Sequence, residues 1–168
     1  MAARPIVLYG EPVLREKGKP VEKFDRETKD LVADMIATLK NAKGLGLAAP
    51  QVGAAVRIFI IDLSAIELTE SVRVFINPQI IETSGEVLME EGCLSFPGIY
   101  QKIVRPETVK IRATEPNGKE FTLRASGMLA RAILHEYDHL EGKLFIDYFS
   151  PVSRALVRGK LRKMAATL

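Results

Sequence analysis

The chain has 168 residues, of which 47% are apolar and 27% are charged, and its net charge is +3 at pH 7. These values are typical of one soluble globular domain, which at this length buries a sizeable core without disulfides. The single cysteine excludes an internal disulfide, and the apolar run at residues 58–61 is far too short to span a membrane. We therefore expect one domain over residues 1–168, in a reducing compartment.

The positive charge is concentrated at the C-terminal end. Residues 151–168 contain five basic and no acidic residues, whereas residues 1–150 contain 19 basic and 21 acidic ones. The basic character therefore belongs to the tail, and the body of the domain is slightly acidic.

The first predicted element is a helix that begins after Asp25, a favourable N-cap residue. Apolar residues recur at helical spacing over residues 31–39, and the pattern should end near Lys43-Gly44, since glycine commonly terminates helices. The segment 44–53 then contains three glycines and a proline. We expect a loop without regular structure there.

A group of β-rich runs follows, bounded by turn signals such as Asn77-Pro78 and the segment 116–118. Their composition predicts strands of a mostly antiparallel sheet. The predicted strands cover residues 57–63, 72–81, 109–113 and 121–125.

Two more helices complete the predicted order. One begins near Ser126 and ends at Glu141-Gly142, where glycine suits the position after the C-cap. The other begins at Ser150-Pro151 and carries the basic tail, residues 151–168. We expect a short strand between them. The order predicts an α+β fold with mostly antiparallel sheets around a central helix, the one that begins near Ser126, followed by a C-terminal helix.

Both histidines of the chain lie in the pentapeptide His135-Glu136-Tyr137-Asp138-His139. Helical positions four apart differ by about 40° around the axis and about 6 Å along it, so two imidazoles can bind one metal ion. Glu136 projects beside that ion, as in the H-E-x-x-H arrangement whose glutamate is a general base. The same pattern also occurs by chance in helices that bind nothing.

A third metal ligand is needed for a catalytic site of the zinc type, which has three protein ligands and one open position. Met128 and Ala132 share the helix face of the histidines, and buried polar residues on such a face need partners. Cys93 is the remaining soft ligand of the chain. A buried, small hydrophobic role for Cys93 is the alternative, because spacing alone does not show that it reaches the histidines.

Three segments, in this order, resemble the peptide deformylase family. Residues 44–51 match its G-x-G-L-A-A-x-Q loop, residues 91–95 its E-G-C-L-S segment and residues 135–139 its H-E-x-D-H helix. The resemblance extends over nearly the whole chain. It implies a metal-dependent amide hydrolase that removes the formyl group from N-formylmethionine at the N-terminus of newly synthesised polypeptides.

The resemblance implies that Cys93, His135 and His139 hold one divalent metal ion whose bound water attacks the formyl carbon. The usual metal of the family is Fe²⁺, and Zn²⁺, Ni²⁺ or Co²⁺ are possible substitutes, because a Cys/His₂ site suits several metals. The ion and its water complete a tetrahedral site.

The resemblance also assigns the residues that act beside the metal. Glu136 would be the general acid/base, and Gln51 together with the Leu94 N–H would donate hydrogen bonds to the oxyanion. A solvated loop residue is the alternative reading of Gln51. Glu91 would pair with Arg105 and position the cysteine segment, with two exposed charges as the alternative.

Substrate contacts follow from the same resemblance. Gly44 and Gly46 would let an extended peptide pair with the chain like an added strand, and simple turn geometry is the alternative. The remaining substrate contacts, including the apolar methionine pocket, are expected from Leu45, Met89, Gly92, Tyr100, Met128 and Ala132. Plain core packing is the alternative for the apolar members of this set.

The implied partners are N-formylmethionyl nascent peptides and, through the basic C-terminal helix, the ribosome. A solvated cationic face is an equally good interpretation of that helix. We expect no membrane and no DNA partner, and a bacterial cytoplasmic location rather than an organelle, because no transit-like extension is present. Two rival functions remain: a zincin-type metallopeptidase, with its third ligand downstream of the helix, and a non-catalytic metal-binding or ribosome-associated module.

Overall fold

The computed structural model describes residues 2–65 and 72–166. Its helices are α1 (Arg26–Ala42), α2 (Gly127–Leu140) and α3 (Pro151–Ala166). Its strands are β1 (Gly46–Ala48), β2 (Ile58–Asp62), β3 (Val72–Ser84), β4 (Val87–Gly92), β5 (Tyr100–Arg105), β6 (Thr108–Thr114) and β7 (Glu120–Ser126). Five strands form one antiparallel sheet in the order β1-β2-β3-β6-β7, and β4 and β5 form a separate hairpin. The predicted α+β class is confirmed.

Helix α1 begins and ends close to the predicted residues. The Asp25 side chain accepts a hydrogen bond of 3.1 Å from the Thr28 N–H, which satisfies a free backbone donor of the first turn. At the other end Lys43, rather than Gly44, adopts the left-handed conformation with φ of 57°. The predicted N-cap is confirmed, and the helix ends at Ala42, next to the expected Lys43-Gly44.

Strand β2, which lies next to the edge strand β1, is buried on both faces. Ile58 and Ile60 belong to the core cluster against α1, whereas Phe59 and Ile61 belong to the cluster on the side of α2. Successive side chains of a strand point to opposite faces, so α1 and α2 cover opposite sides of the sheet. Helix α2, which carries both histidines, is therefore fixed against one face of the sheet.

The third strand is longer than predicted. It continues to Ser84 and contains Asn77-Pro78, which the sequence marks as a turn signal. Asn77 has φ of 49°, and the pairing with β6 shifts register between Ile76 and Gln79. The Asn77 amide also hydrogen-bonds both backbone groups of Val21 at 2.8 Å. The signal therefore marks a bulge within the strand and not its end.

The predicted irregular loop at 44–53 is only partly irregular. Gly46–Ala48 pairs with β2 as an edge strand, and Ala49–Val52 forms a 3-10 helix with Pro50 in its first turn. The prediction was wrong here because a glycine weakens a strand without excluding it from a sheet edge.

The prediction of a short strand between α2 and α3 is also wrong. Phe145–Tyr148 is a 3-10 helix, in which the Asp147 side chain accepts a 3.0 Å hydrogen bond from the Leu144 N–H. This local side-chain bond stabilises a turn, which explains why the apolar run does not extend.

Helix α3 begins as predicted, with the Ser150 hydroxyl accepting a bond of 3.1 Å from the Ser153 N–H. Leu161 packs into the core cluster that also contains Phe145 and Phe149. Val152 and Leu156 are exposed instead. Within residues 2–65 and 72–166, no helix has the length and apolar content that crossing a membrane requires.

Candidate metal centre

Three soft ligands from two parts of the chain meet at one point. Cys93 directly follows β4, and His135 and His139 lie one turn apart on α2. Their ligand atoms all lie within 4.8 Å of one another, and Cys93 Sγ is 3.5 Å from His139 Nε2. The expectation that Cys93 reaches the histidines is confirmed. The predicted ligand set is therefore in position to bind one metal ion.

The surroundings of these ligands fit a cation. Nδ1 of His135 is 2.8 Å from Glu91 Oε1, which leaves Nε2 as the ring nitrogen free to bind a metal. Burial opposes a charge on His135, but the negative charge of Glu136 and further contacts outweigh it and raise the pKa of His135 well above its usual 6.5. Burial lowers the pKa of His139 well below that value, which keeps it neutral as a ligand must be. The negative charges around His135 thus favour positive charge at its ring, whereas His139 is kept as a neutral imidazole.

Glu91 is the centre of a buried ion network behind the metal ligands. Its Oε1 accepts hydrogen bonds from His135 and, at 3.0 Å, from Arg105 Nη2. Its Oε2 accepts from both Arg105 and Arg131. Burial alone would raise the pKa of Glu91, but the bonds from His135 and Arg105 outweigh it and lower the pKa to about 2. The structure confirms the Glu91–Arg105 pair, and it excludes the alternative of two exposed charges.

Arg131 is a site residue that the sequence analysis missed. It is buried on α2, one turn before His135, and it lines the same cavity as the metal ligands. A signal was present, because an arginine four positions before His135 lies on nearly the same helix face and needs an acidic partner when that face is buried.

Gln51 is held in one orientation. Its Oε1 accepts a 2.9 Å hydrogen bond from the Ala48 N–H, so its Nε2 points towards Ser95 Oγ at 3.1 Å and Cys93 Sγ at 3.6 Å. The side chain is only 1% exposed, which excludes a solvated loop residue. The amide N–H groups therefore lie beside the metal ligands, where they donate to Ser95 Oγ and Cys93 Sγ.

Glu136 is buried beside the ligands and packs against the edge strand β1. A methyl group on Gly46 would lie 2.8 Å from Glu136 Oε2, which is closer than real contacts allow. Among the described residues, Oε1 of Glu136 has no hydrogen-bond partner. Burial raises the pKa of Glu136 to about 7. The group is thus suited to exchange a proton near neutral pH.

A cavity of about 470 Å³ opens onto this site. Most of the residues expected to touch substrate line it, namely Gly44, Leu45, Gly46, Gly92, Tyr100, Met128 and Ala132, together with Gln51, Cys93, Leu94, His135 and Glu136. Met89 does not line it, and its half-buried side chain lies on β4 opposite Ile103. The cavity is also lined by Glu90, Phe96, Pro97 and Gly98, which flank the matched segment 91–95 and were not predicted.

Comparison with known proteins agrees with this geometry. A family model described as polypeptide deformylase matches residues 3–155. The peptide deformylase of Clostridium botulinum (strain Alaska E43 / Type E3) is 51% identical over 147 residues, which cover 88% of this chain and 97% of the relative. The peptide deformylase of Thermodesulfovibrio yellowstonii is 44% identical over 162 residues, or 96% and 98% of the two chains.

The fold agrees with a solved relative as well. The crystal structure of peptide deformylase from Thermus thermophilus superposes with a TM-score of 0.92 at 38% identity and covers 99% of each chain. The family model matches most of the chain, and both relatives are similar to it over nearly their whole length. The chain belongs to the peptide deformylase family and is a hydrolase.

Proposed function

We propose that this chain removes the formyl group from N-formylmethionine at the N-terminus of newly synthesised polypeptides, with a divalent metal ion held by Cys93, His135 and His139. Family membership supports the reaction. The observation that carries the site assignment is the convergence of the three ligands within 4.8 Å, beside the buried carboxylate of Glu136. The ligand from upstream of the helix also argues against the zincin-type rival.

The donor set fits Fe²⁺, which we propose as the metal in the cell, and also Zn²⁺, Ni²⁺ or Co²⁺ as substitutes. A divalent ion there supplies Lewis-acid chemistry and makes a strong nucleophile available near neutral pH. The hydrogen bond from His135 Nδ1 to Glu91 fixes the ring so that Nε2 serves as the ligand atom.

Glu136 is proposed as the general acid/base. Its Oε1 lacks a partner among the described residues, so it is free to accept a proton from water. With a pKa near 7, the same carboxyl group can then deliver that proton to the leaving amine. One carboxyl group thus serves both transfers, and no second acid is required.

Gln51 and the Leu94 N–H are proposed to stabilise the oxyanion that forms from the formyl carbonyl oxygen. Gln51 is a neutral donor whose orientation is fixed by the hydrogen bond from the Ala48 N–H, so its Nε2 already lies beside Cys93 Sγ. Leu94 lines the cavity next to Cys93, as Gln51 does. Donors at these two positions would stabilise the negative charge that develops on the oxygen during amide hydrolysis.

The cavity is proposed to hold the methionine side chain and the first peptide groups of the substrate. β1 is the edge strand of the larger sheet, and both β1 and β4 border the cavity. An extended peptide between them could pair with the backbone at Gly44 and Gly46, where no side chain blocks its approach. Leu45, Met128 and Ala132 supply apolar wall, and Gly92 and Tyr100 contribute further lining.

We further propose that the protein acts in the bacterial cytoplasm and contacts the ribosome through α3. The helix carries basic side chains without acidic ones, and Val152 and Leu156 are exposed on it. Such a surface suits RNA phosphates together with an apolar contact. The partner would deliver the formylated substrate at the place where it is made.

An assay on formylated peptide tests the proposed reaction. The protein is loaded with Fe²⁺ under anaerobic conditions and given a formyl-methionyl tripeptide, and formate is measured together with any cleavage of the internal peptide bonds. We expect formate release with the tripeptide left intact. Absence of formate from the iron-loaded protein would refute the proposal, and cleavage of internal bonds alone would favour a metallopeptidase.

A further inference from the structure

The metal ligands belong to two separate structural units. Cys93 directly follows strand β4 of the β4–β5 hairpin, whereas both histidines belong to α2. The hairpin is a sheet of its own and is not part of the five-stranded sheet. A two-stranded sheet is marginally stable by itself, so its position depends on side-chain contacts. Whatever fixes the hairpin against α2 therefore sets the distance from Cys93 to the histidines.

Arg131 makes such contacts from the helix to both strands. Its Nη2 donates to the Val87 carbonyl of β4 at 2.7 Å, and its Nη1 donates to the Ile103 carbonyl of β5 at 3.2 Å. Nη1 also donates to Glu91, which is near the end of β4 and two residues before Cys93. One guanidinium group thus ties α2 to three acceptors on the hairpin.

Arg105 makes a comparable contact from the hairpin to the helix. It lies on β5, binds Glu91 of β4 and reaches Asp138 of α2 at 2.9 Å. The two arginines and the two acids, Glu91 and Asp138, have a formal charge of zero together. In a network without net charge, the buried groups compensate one another's charges. Arg131 and Arg105 thus anchor the hairpin from both sides.

We propose that Arg131 is a positioning residue that holds the β4–β5 hairpin, and with it Cys93, in the place where its thiolate and the two histidines share one metal ion. It acts through Glu91 and two backbone carbonyls. The planar guanidinium is needed because the single ammonium group of a lysine cannot reach the three acceptors together. The inference rests on the metal site proposed above.

Arg131→Lys, with Arg131→Met as a second variant, tests this role in protein loaded with Co²⁺. A thiolate bound to Co²⁺ gives a near-ultraviolet charge-transfer band, which reports Cys93 ligation without any turnover. We expect Arg131→Lys to fold, to show a weaker or shifted band, and to bind Co²⁺ about 10-fold more weakly, since outer-shell changes typically cost about 10- to 100-fold. The methionine variant should show a larger effect, because it keeps neither the charge nor the donors.

Kinetics separate positioning from a direct contact with substrate, because Arg131 also lines the cavity. A positioning role predicts a lower kcat with KM nearly unchanged. Arg124→Lys is the matched control, since this exposed arginine pairs only with Glu82 among the described side chains. It should leave the band, the Co²⁺ affinity and kcat unchanged.

The results for Arg131→Lys decide whether Arg131 has the positioning role. A wild-type band and affinity in Arg131→Lys would overturn the inference, and so would a change confined to KM. Failure of Arg131→Lys to fold would also overturn it, because a local positioning role predicts a folded protein. If the wild-type protein itself shows no thiolate band with Co²⁺, the proposed metal site fails and the inference fails with it.

Discussion

Gly46 and Glu136 are packed so closely that the edge strand leaves no room for a side chain beside the carboxylate. A Cβ at position 46 would lie 2.8 Å from Glu136 Oε2 and 3.0 Å from its Cγ. Gly46→Ala should therefore displace Glu136 without removing it. We expect kcat for formate release to fall by about 10- to 100-fold, because a displacement near 1 Å can cost about 10²-fold.

A second glycine variant is the control for that prediction. Gly159 of α3 has no atom near the position of an added Cβ. Gly159→Ala should leave kcat unchanged and should stabilise the helix by up to about 1 kcal/mol. If Gly46→Ala keeps the kcat of the wild-type protein, the close contact has no bearing on the reaction.

Replacement of Gln51 tests the proposed oxyanion donor. Gln51→Ala should lower kcat by about 10²- to 10³-fold, the usual cost of losing one such donor, while metal content stays the same. Ser95→Ala is the matched control, since Ser95 accepts a bond from the Gln51 amide and is not itself a proposed donor. Its effect on kcat should be much smaller. A fall in metal content in Gln51→Ala, at constant activity per metal, would contradict the assignment.

Replacement of Cys93 tests the third ligand. Cys93→Ala removes the only thiolate from a site in which all ligand atoms lie within 4.8 Å. The metal-to-protein ratio after dialysis should fall well below that of the wild-type protein, because two histidines alone bind a divalent ion weakly. Elemental analysis of both proteins measures this ratio. An unchanged ratio would show that Cys93 is not a ligand.

The ion pair between Arg15 and Asp147 predicts part of the acid sensitivity. Burial opposes ionisation of Asp147, but hydrogen bonds from Arg15, at 2.7 Å, and from the Leu144 N–H outweigh it and lower its pKa below 3.8. A carboxylate whose pKa is lower in the folded state stabilises the fold above about pH 4 and loses this contribution as the pH falls below 3.8.

Asp147→Asn should therefore lower the urea midpoint at pH 7 and differ less from the wild-type midpoint at a pH well below 3.8. The pair is partly exposed, so its contribution is of the order of 0.5 kcal/mol. Glu82→Gln removes the more exposed pair with Arg124 and should change the midpoint less. A constant difference between Asp147→Asn and wild type at both pH values would contradict the linkage.

The helices and most strands of the large sheet could be predicted because their patterns are regular. Strand β2 is almost entirely apolar, and Asp25 and Gly142 mark helix ends by their local chemistry. Asn77-Pro78 misled the prediction, because the same residues serve a turn and a bulge. Local chemistry alone does not distinguish the two, since the difference lies in the partner strand.

The β4–β5 hairpin was missed because its polarity is inverted. Leu88 and Val104 are exposed, whereas the charged Glu91 and Arg105 are buried. A search for alternating apolar residues fails when the buried positions are charged. The same inversion hides Arg131, whose partners become visible only when the hairpin is packed against α2. By contrast, Cys93 was predicted as a ligand because residues 91–95 resemble the corresponding segment of peptide deformylases.

The most direct measurement is formate release and metal content in one preparation of Glu136→Gln, compared with the wild-type protein. The account predicts about one metal ion per chain in both proteins and a loss of turnover of about 10²-fold or more in the variant, because a general acid/base typically contributes about 10²–10⁴-fold. A variant that retains its metal and releases formate at the wild-type rate would contradict the central claim.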